Sequence, residues 1–267
     1  MSIAVPAATG ADSPILDVRG VSMRFGGVVA LNNLSFTVAR GAVVGLIGPN
    51  GAGKTTIFNC LSRIYAPDTG DIQVDGKSIR DLNRHMLPQL GVARTFQNVA
   101  LFDNLSVLDN VMVGAHTTSA SGFFANALWL AGVRATERLL HDKARQAMDY
   151  LRLDDFAQVL ARDLPFPIRK RVEFARALVC NPRLLLLDEP AAGLNHDEVN
   201  VLREQISGVR ERYKTAILLV EHHMSLVMSV SDRVVAMDFG TKIAEGTPAE
   251  VQRSPDVIRA YLGADAA

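Results

Sequence analysis

Apolar residues along this chain recur with two different periods, and the shorter period predicts strands. Short alternating or continuous apolar runs recur toward both ends of the sequence, and polar or glycine-rich turns interrupt them. One of them, LLLLD, is apolar up to its final residue, which is typical of a strand buried on both faces of a parallel sheet. The expected strands are 15–18, 34–38, 42–47, 72–74, 92–96, 184–188, 216–220 and 233–237.

The longer period predicts helices, which dominate the middle of the chain. Ser106 and Asp109 can form a capping box, and 137–151 carries apolar residues at helical spacing. Strands and helices therefore alternate at both ends, around a mostly helical block. Further helices are expected from residue 54, over 196–213, and after the proline starts at 247–250 and 254–256.

This order of elements predicts a single α/β domain over 15–263, preceded by a flexible tail at 1–14. We expect its core at about 15–97 and 181–246, a helical subdomain at about 98–180, and closing helices in 247–263. The stretch FFANALWLAG, at 123–132, can be an amphipathic segment that touches a membrane, but we favour a small hairpin packed on the helical subdomain.

Composition narrows the class of protein. Apolar residues make up 48% of the 267, and the 28 basic and 28 acidic residues leave no positive excess for nucleic acid. Cys60 and Cys180 lie in apolar segments and are expected to be buried thiols rather than a disulfide. We expect the first residues to be a flexible tail rather than a signal peptide, and we find no apolar run of the roughly 20 residues that span a bilayer. We therefore expect a soluble cytoplasmic protein that reaches a membrane only through a partner.

The stretch GPNGAGKTT predicts a phosphate-binding loop. It fits the pattern G-x-x-x-x-G-K-[ST] and lies between a predicted strand and a predicted helix. Glycines let backbone N–H groups turn inward onto an anion, and the helix adds its positive end. Lys54 would reach the β and γ phosphates of a nucleotide, and Thr55 would hold Mg²⁺. The candidate nucleotide-binding residues are Gly48, Pro49, Asn50, Gly51, Ala52, Gly53, Lys54, Thr55 and Thr56.

Two carboxylates follow the strand LLLL. In open α/β sheets ligands bind at the carboxyl ends of strands, and Asp188 and Glu189 stand at such an end. Asp188 would hold Mg²⁺, directly or through water, and Glu189 could polarise an attacking water as a general base. Alone, the pair indicates only a strand that ends in a turn. Together with the phosphate loop, it predicts a nucleotide hydrolase.

Over nearly its whole length, roughly 15–263, the chain resembles the ATP-binding subunits of ATP-binding cassette (ABC) transporters. Within that family it looks most like the subunits of branched-chain amino-acid importers. The resemblance implies a P-loop NTPase fold of the ABC type, with a RecA-like core, an antiparallel β subdomain and an inserted helical subdomain. It also implies ATP and Mg²⁺ as cofactors, and two subunits paired head to tail. The stretches that carry it are RTFQNVALFDNLSVLDNV, the segment around 115–135, LLLLDEPAAGLN, LLVEHHMSLVMSVSDRV and PDVIRAYLG.

Further site residues follow from the resemblance alone. Phe25, in MRFGG, stands where the family stacks an aromatic ring on adenine. Gln97, in RTFQ, stands where a glutamine reaches Mg²⁺ and the attacking water, in a loop that responds to the membrane subunit. His222 stands where a histidine contacts the γ-phosphate, and the adjacent His223 is the lesser candidate. Asn195 belongs to the loop that crosses to the other subunit, where many relatives have aspartate.

The chain departs from the family at the loop that grips the ATP held by the partner subunit. The family pattern there is approximately Leu-Ser-Gly-Gly-Gln, whereas this chain has two prolines without N–H groups, an aromatic ring and no amide side chain. Each lost hydrogen bond to a charged group is worth roughly 1.5–3 kcal/mol. Arg169 or Lys170 could restore only a flexible positive charge. The residues in register are Leu164, Pro165, Phe166, Pro167 and Ile168.

These residues predict an ATPase subunit that needs an unlike partner. We expect it at the cytoplasmic face of a membrane, bound to permease subunits and to a second ABC subunit with an intact glycine loop. A solute-binding protein would take part indirectly, and nucleic acid would not. Two alternatives remain. The altered loop favours a regulatory module that binds nucleotide without hydrolysis, although Glu189 and His222 oppose it. A soluble ABC protein that acts on nucleic acid is opposed by the single cassette and the balanced charge.

Overall fold

The computed structural model describes residues 13–95, 99–116 and 131–262. Its strands are β1 (Leu16–Phe25), β2 (Val28–Val38), β3 (Val43–Ile47), β4 (Thr69–Val74), β5 (Lys77–Ser78), β6 (Val92–Arg94), β7 (Leu184–Asp188), β8 (Ala216–Val220), β9 (Arg233–Asp238) and β10 (Thr241–Gly246). Its α-helices are α1 (Lys54–Leu61), α2 (Val107–His116), α3 (Ala131–Tyr150), α4 (Phe166–Leu178), α5 (His196–Tyr213), α6 (Met224–Val230), α7 (Pro248–Gln252) and α8 (Pro255–Leu262). Short 3-10 helices occupy Arg84–Leu90, Asp154–Phe156 and Ala161–Asp163.

A six-stranded sheet forms the centre of the fold, in the order β10-β9-β3-β8-β7-β6. All neighbouring strands in it are parallel except the edge strand β10, which pairs antiparallel with β9. The inner strands β3, β7 and β8 are buried at every position, as their continuous apolar sequence predicts. A second sheet, of order β2-β1-β4-β5, is antiparallel throughout.

The six-stranded sheet separates two apolar cores, because successive side chains of a strand point to opposite faces. Along β7, Leu184 and Leu186 pack with β1, β2, β4 and α1 on one face. Leu185 and Leu187 pack with the helices on the other face. Burying each leucine contributes about 1.5–3 kcal/mol, so the alternation fixes which face of the sheet receives the helices.

The helical block consists of α2, α3 and α4, which pack against one another. Its entry is held by Asn110, a fully buried amide that accepts a hydrogen bond from the Phe102 N–H and donates to the Phe102 and Leu105 carbonyls. The predicted capping box is half formed. The Ser106 hydroxyl accepts from the Asp109 N–H, but the Asp109 carboxylate bonds to that hydroxyl rather than to backbone.

Several elements differ from the sequence expectations. β1 and β2 extend well beyond 15–18 and 34–38, because they pair along their whole length although their outer faces are polar. β5 and β10 were not expected, since both lie at sheet edges and lack an apolar run. The helix at 247–252 does begin with a capping box, formed by Thr247 and Glu250 before Pro248.

Some expectations fall outside the described residues. The tail at 1–12 and most of the stretch 123–132 belong to this group. Among the described helices, none is both long and apolar enough to cross a bilayer. The division into a core at about 15–97 and 181–246 and a helical subdomain at about 98–180 stays a prediction.

Candidate functional site

Three neighbouring parallel strands bring the candidate residues to one edge of the central sheet. β8 lies between β3 and β7 and pairs with both. The phosphate loop follows β3, the acidic pair closes β7, and His222 lies two residues after β8. Because the carboxyl ends of parallel strands meet at the same edge, segments far apart in sequence form one site.

The phosphate loop is shaped by its glycines. Gly53 has φ +97° and Gly51 has φ +83°, values that only glycine adopts without strain. A Cβ atom on Gly48 would lie 2.3 Å from the Met237 carbonyl oxygen, and one on Gly53 would lie 2.5 Å from the Ala30 carbonyl oxygen. At Gly48 and Gly53 neighbouring backbone therefore leaves no space for a side chain, and the loop lies tightly against β9 and β2.

Lys54 begins α1 and is buried beside the loop. Its Nζ donates to the Gly48 carbonyl at 2.7 Å and to the Pro49 carbonyl at 2.9 Å. Burial lowers the pKa of Lys54, and attraction to the Glu189 carboxylate opposes that change. The ammonium group is thus held at the loop and in the field of the acidic pair. The Thr55 hydroxyl follows it on an exposed residue.

Asp188 forms an ion pair that the sequence interpretation missed. Its Oδ2 lies 2.6 Å from Nη2 of Arg94, at the end of β6, and both side chains are almost fully buried. Nη1 of Arg94, the second terminal nitrogen, donates to the Asn59 side chain and to the Ser62 hydroxyl at the end of α1. Arg94 thereby ties together three elements below the site. Its position in RTFQ, just before the expected Mg²⁺ ligand Gln97, was the available signal.

Glu189 is held in an unusual backbone conformation. Its φ is +46°, although it is not glycine, and its N–H donates to the Val220 carbonyl at 2.9 Å. Such conformations cost of order 1–3 kcal/mol and persist only where the surroundings enforce them. The Glu189 Oε2 atom lies 3.8 Å from Nδ1 of His222. The carboxylate and imidazole expected to act on the γ-phosphate are therefore neighbours.

A second missed residue is Glu221, at the end of β8. It is 1% exposed, and its Oε1 accepts a 2.6 Å hydrogen bond from the Ala191 N–H. Its Oε2 accepts from the N–H groups of His222 and His223, at 3.1 and 3.3 Å. Ligand atoms of Glu221, His222 and His223 lie within 4.8 Å of one another, a spacing that suits a metal ion. Glu221 already accepts from three backbone N–H groups. We therefore assign it to holding the turn that contains Ala191 beside the loop that begins at His222.

The loop at 164–168 begins a helix at its third residue. Leu164 is buried, Pro165 is the N-cap of α4, and Phe166 is the first helical residue. Pro165 and Pro167 have no N–H, and the N–H groups of Ile168 and Arg169 both donate to the Pro165 carbonyl. The first turn of α4 is thus poor in donors for an anion.

Phe166 of this loop and the nearby residues Arg169 and Asn195 have contacts within the chain. The Phe166 ring, 45% exposed, packs on Gly193, where a Cβ atom would lie 2.8 Å from ring atom Cε1. Arg169 pairs with Asp103 at 2.7 Å, so it is not a loose charge at the loop. Asn195 caps α5 through a capping box with Glu198. The Asn195 side chain, which was expected to reach another subunit, therefore forms a hydrogen bond within its own chain.

The remaining predicted site residues are Phe25 and Gln97. Phe25 lies at the tip of the β1–β2 hairpin, 44% exposed, with its ring edge-to-face on Tyr65 at 5.2 Å. An exposed ring at a hairpin tip is free to stack on a planar ligand. Gln97 lies outside the described residues.

Comparison with known proteins decides the family. A family model described as ABC transporter matches residues 31–192, which is more than half of the chain. The chain belongs to this family. A second model, described as branched-chain amino acid ATP-binding cassette transporter, matches residues 241–267.

Curated relatives agree with this assignment. The chain is 43% identical over 250 residues to BraF of Pseudomonas aeruginosa, a high-affinity branched-chain amino acid transport ATP-binding protein, covering 94% of this chain and 98% of the relative. It is 42% identical over 250 residues to LivG of Escherichia coli K12, which has the same description, with the same coverage. Identity of this extent supports a shared arrangement of the whole cassette.

Solved structures agree on the fold. The ADP conformation of MJ1267, an ATP-binding cassette of an ABC transporter, has a TM-score of 0.82 and 28% identity, covering 94% of this chain and 99% of that one. A nucleotide-free ATP-binding cassette gives a TM-score of 0.79 at the same identity, covering 94% and 100%. The predicted family, the α/β P-loop NTPase fold and the ATPase activity are therefore confirmed.

Proposed function

We propose that this chain binds ATP with Mg²⁺ and hydrolyses it to energise a membrane importer of branched-chain or other small amino acids. The observation that carries the proposal is the meeting of Lys54, Glu189 and His222 at one edge of the central sheet. The names of BraF and LivG, two branched-chain amino acid transport proteins, support the class of cargo.

The residues at this edge suit the parts of an ATP–Mg²⁺ complex. Backbone N–H groups of the phosphate loop and the Lys54 ammonium group supply donors for phosphate oxygens. Thr55 and Asp188 are hard oxygen donors, which Mg²⁺ prefers, and we assign Gln97 to the same ion. Phe25, at the hairpin tip, would stack on adenine.

Hydrolysis needs a base beside the attacking water. Glu189 fits this role because its carboxylate closes a buried strand and is 22% exposed, so water can reach it. His222, 3.8 Å away and more exposed, would contact the γ-phosphate and orient the same water. Phosphoryl transfer depends mainly on positioning and charge, which this pair supplies.

The loop at 164–168 supports pairing with an unlike subunit. In a head-to-tail pair this loop would face the ATP held by the partner, and its first turn offers few N–H donors. Loss of several charged hydrogen bonds, each worth roughly 1.5–3 kcal/mol, would slow the partner's site by orders of magnitude. A partner with a glycine-rich loop would complete the site that holds Lys54 and Glu189. We therefore propose one active composite site and one slow site.

A groove between the core and the helical block supports docking of a permease subunit. It has a volume of about 480 Å³ and lies between the 3-10 helix Arg84–Leu90 and the helices α2 and α4. Apolar side chains line it together with charged ones, among them Arg84, Glu173 and Arg176, a mixture that suits a short segment of another protein. Contact through this groove would hold the chain at the cytoplasmic face of the membrane, with a solute-binding protein acting on the permeases. The lining includes Ile64, Leu87, Val113, Ala177 and Cys180.

Substituting Glu189 with glutamine tests the proposal in the assembled complex purified from membranes. We expect ATP turnover to fall by about 10² or more while ATP binding persists, because the amide keeps the shape of the side chain but is not a base. Glu204→Gln, on the exposed face of α5, is the matched control. Unchanged turnover would favour the second candidate, a regulatory module, which the donor-poor loop supports. Absence of membrane proteins from the complex would contradict the role in transport.

A further inference from the structure

The turn at 189–191, directly after β7, carries the proposed base, and side chains from two other elements hold it. Lys170 reaches it from α4, and Glu221 reaches it from the end of β8. Both side chains are buried, at 9% and 1% exposure. Buried charged groups are costly, so their placement on one short turn calls for a role.

Lys170 holds the first peptide of the turn. Its Nζ lies 3.4 Å from the Glu189 carbonyl oxygen and 5.6 Å from the centre of the Phe166 ring. Burial lowers the pKa of Lys170, and four carboxylates oppose that change, so a negative field surrounds its ammonium group. These carboxylates belong to Glu173, Glu221, Glu189 and Asp188.

Glu221 holds the last residue of the turn. Its Oε1 accepts the Ala191 N–H at 2.6 Å, and its Oε2 accepts the N–H groups that begin the His222 loop. Hydrogen bonds to an ionised acceptor are about twice as strong as neutral ones. One carboxylate therefore fixes the distance between the turn with Glu189 and the loop with His222.

The strained residue is Glu189, the first residue of this turn. Glu189 has φ +46°, which costs of order 1–3 kcal/mol and needs surroundings that enforce it. Lys170 and the Ala192 N–H both donate to the Glu189 carbonyl, the latter at 3.1 Å, and Glu221 accepts from the Ala191 N–H. If either side-chain contact is removed, we expect the turn to relax and the Glu189 carboxylate to move away from His222.

We propose that Lys170 and Glu221 are positioning residues that clamp the 189–191 turn and aim the Glu189 carboxylate for water activation. The proposal rests on the proposed role of Glu189 as base. It gives a reason for the basic start of α4 in a chain whose preceding loop has few phosphate donors. In this reading Lys170 serves the chain's own site rather than the partner's ATP.

Kinetics of the assembled complex test the clamp. We expect Lys170→Met and Glu221→Gln each to lower kcat about tenfold or more, because small misplacements of a catalytic group are costly. ATP affinity, read with a fluorescent nucleotide, should stay within about twofold, and Lys170→Arg should retain most of the rate. Lys77→Met, on the exposed strand β5, and Glu204→Gln are the matched controls.

Repeating the measurement in the Glu189→Gln complex separates a positioning role of Lys170 from a general disturbance of the fold. If Lys170 acts through Glu189, then Lys170→Met should change the residual rate of the Glu189→Gln complex less than twofold. An equal fall in both backgrounds would overturn the clamp, as would unchanged kcat or an effect confined to KM. If Glu189→Gln itself leaves turnover intact, the assignment of the base fails and the clamp fails with it. A fall for Glu189→Gln without one for Lys170→Met overturns the clamp alone.

Hydrogen exchange of the free chain gives a readout without activity. A peptide that covers the turn should exchange its amides faster in Glu221→Gln, because the Ala191 N–H loses its charged acceptor. The peptide from α1 should be unchanged, and thermal unfolding shows whether each variant is folded. Identical exchange of the turn in the variant and the native chain would count against the clamp.

Discussion

Two regions of this chain carry the nucleotide motifs of the family, and they differ in what they offer an anion. At the strand edge, glycine backbone and the buried Lys54 ammonium group present donors, and buried charges support them from below. At 164–168, two prolines and the Phe166 ring stand at the start of a helix, where N–H donors would otherwise be found. We propose that the first region binds the chain's own ATP, whereas the second begins a helix with few N–H donors for an anion.

The difference shows how a helix start can be kept while its chemistry changes. Proline suits the first turn of a helix because its missing N–H would have no partner within the helix. Those same first-turn N–H groups are the ones that bind anions. Proline at this place therefore suits the start of α4 and leaves fewer N–H groups that an anion could bind. The strand edge has no such freedom, because neighbouring backbone closes on Gly48 and Gly53.

The largest expected effect is on stability at the strand edge. Arg94→Met would leave the Asp188 carboxylate buried without its partner, and breaking such a pair costs about 3–5 kcal/mol. Urea unfolding of the purified chain measures this loss. Arg19→Met, which removes an exposed pair with Asp17, should cause no measurable change. Equal, small effects of the two substitutions would mean that the buried pair does not support the site.

A smaller effect is expected where Phe166 packs on Gly193. Gly193→Ala would place a Cβ atom 2.8 Å from the ring at φ +78°, at a cost of about 1–2 kcal/mol in unfolding free energy. Gly76→Ala is the matched control, because its φ is +73° and no atom lies within 4 Å of the added Cβ. Adding Phe166→Ala should bring the cost at Gly193 down to that of Gly76. If the cost does not fall, the ring is not what fills this space.

The smallest expected effect compares two cysteines. Cys60 lies on α1, behind the phosphate loop, and burial raises its pKa to about 11. At pH 8 only about one thiol in a thousand would be ionised, so alkylation should be very slow in the folded chain. Cys180, which follows α4 and is half-buried, should react first. Mass spectrometry of a timed reaction, with Cys180→Ser as control, measures the order, and faster reaction at Cys60 would mean that α1 opens.

Local sequence predicted the phosphate loop and the strand that carries the acidic pair, because each is contained in one contiguous stretch. Arg94 and Glu221 were missed because their contacts depend on strand pairing. The Arg94–Asp188 pair spans 94 positions of sequence, and Glu221 meets Ala191 across 30. A weak signal existed, since Glu221 directly follows the strand predicted at 216–220. The edge strands β5 and β10 gave none, because edge strands need no apolar run.

The central claim is that this chain's own site is competent and that its 164–168 loop completes another site only as a slow one. Two full-length copies joined by a flexible linker test it. The first copy is native, and the second carries Lys54→Met with either the native loop or Pro165→Ser, Phe166→Gly, Pro167→Gly and Ile168→Gln. We predict ATP turnover at least about tenfold faster with the changed loop, and its loss when Glu189→Gln is placed in the first copy. Equal turnover with both loops would contradict the account.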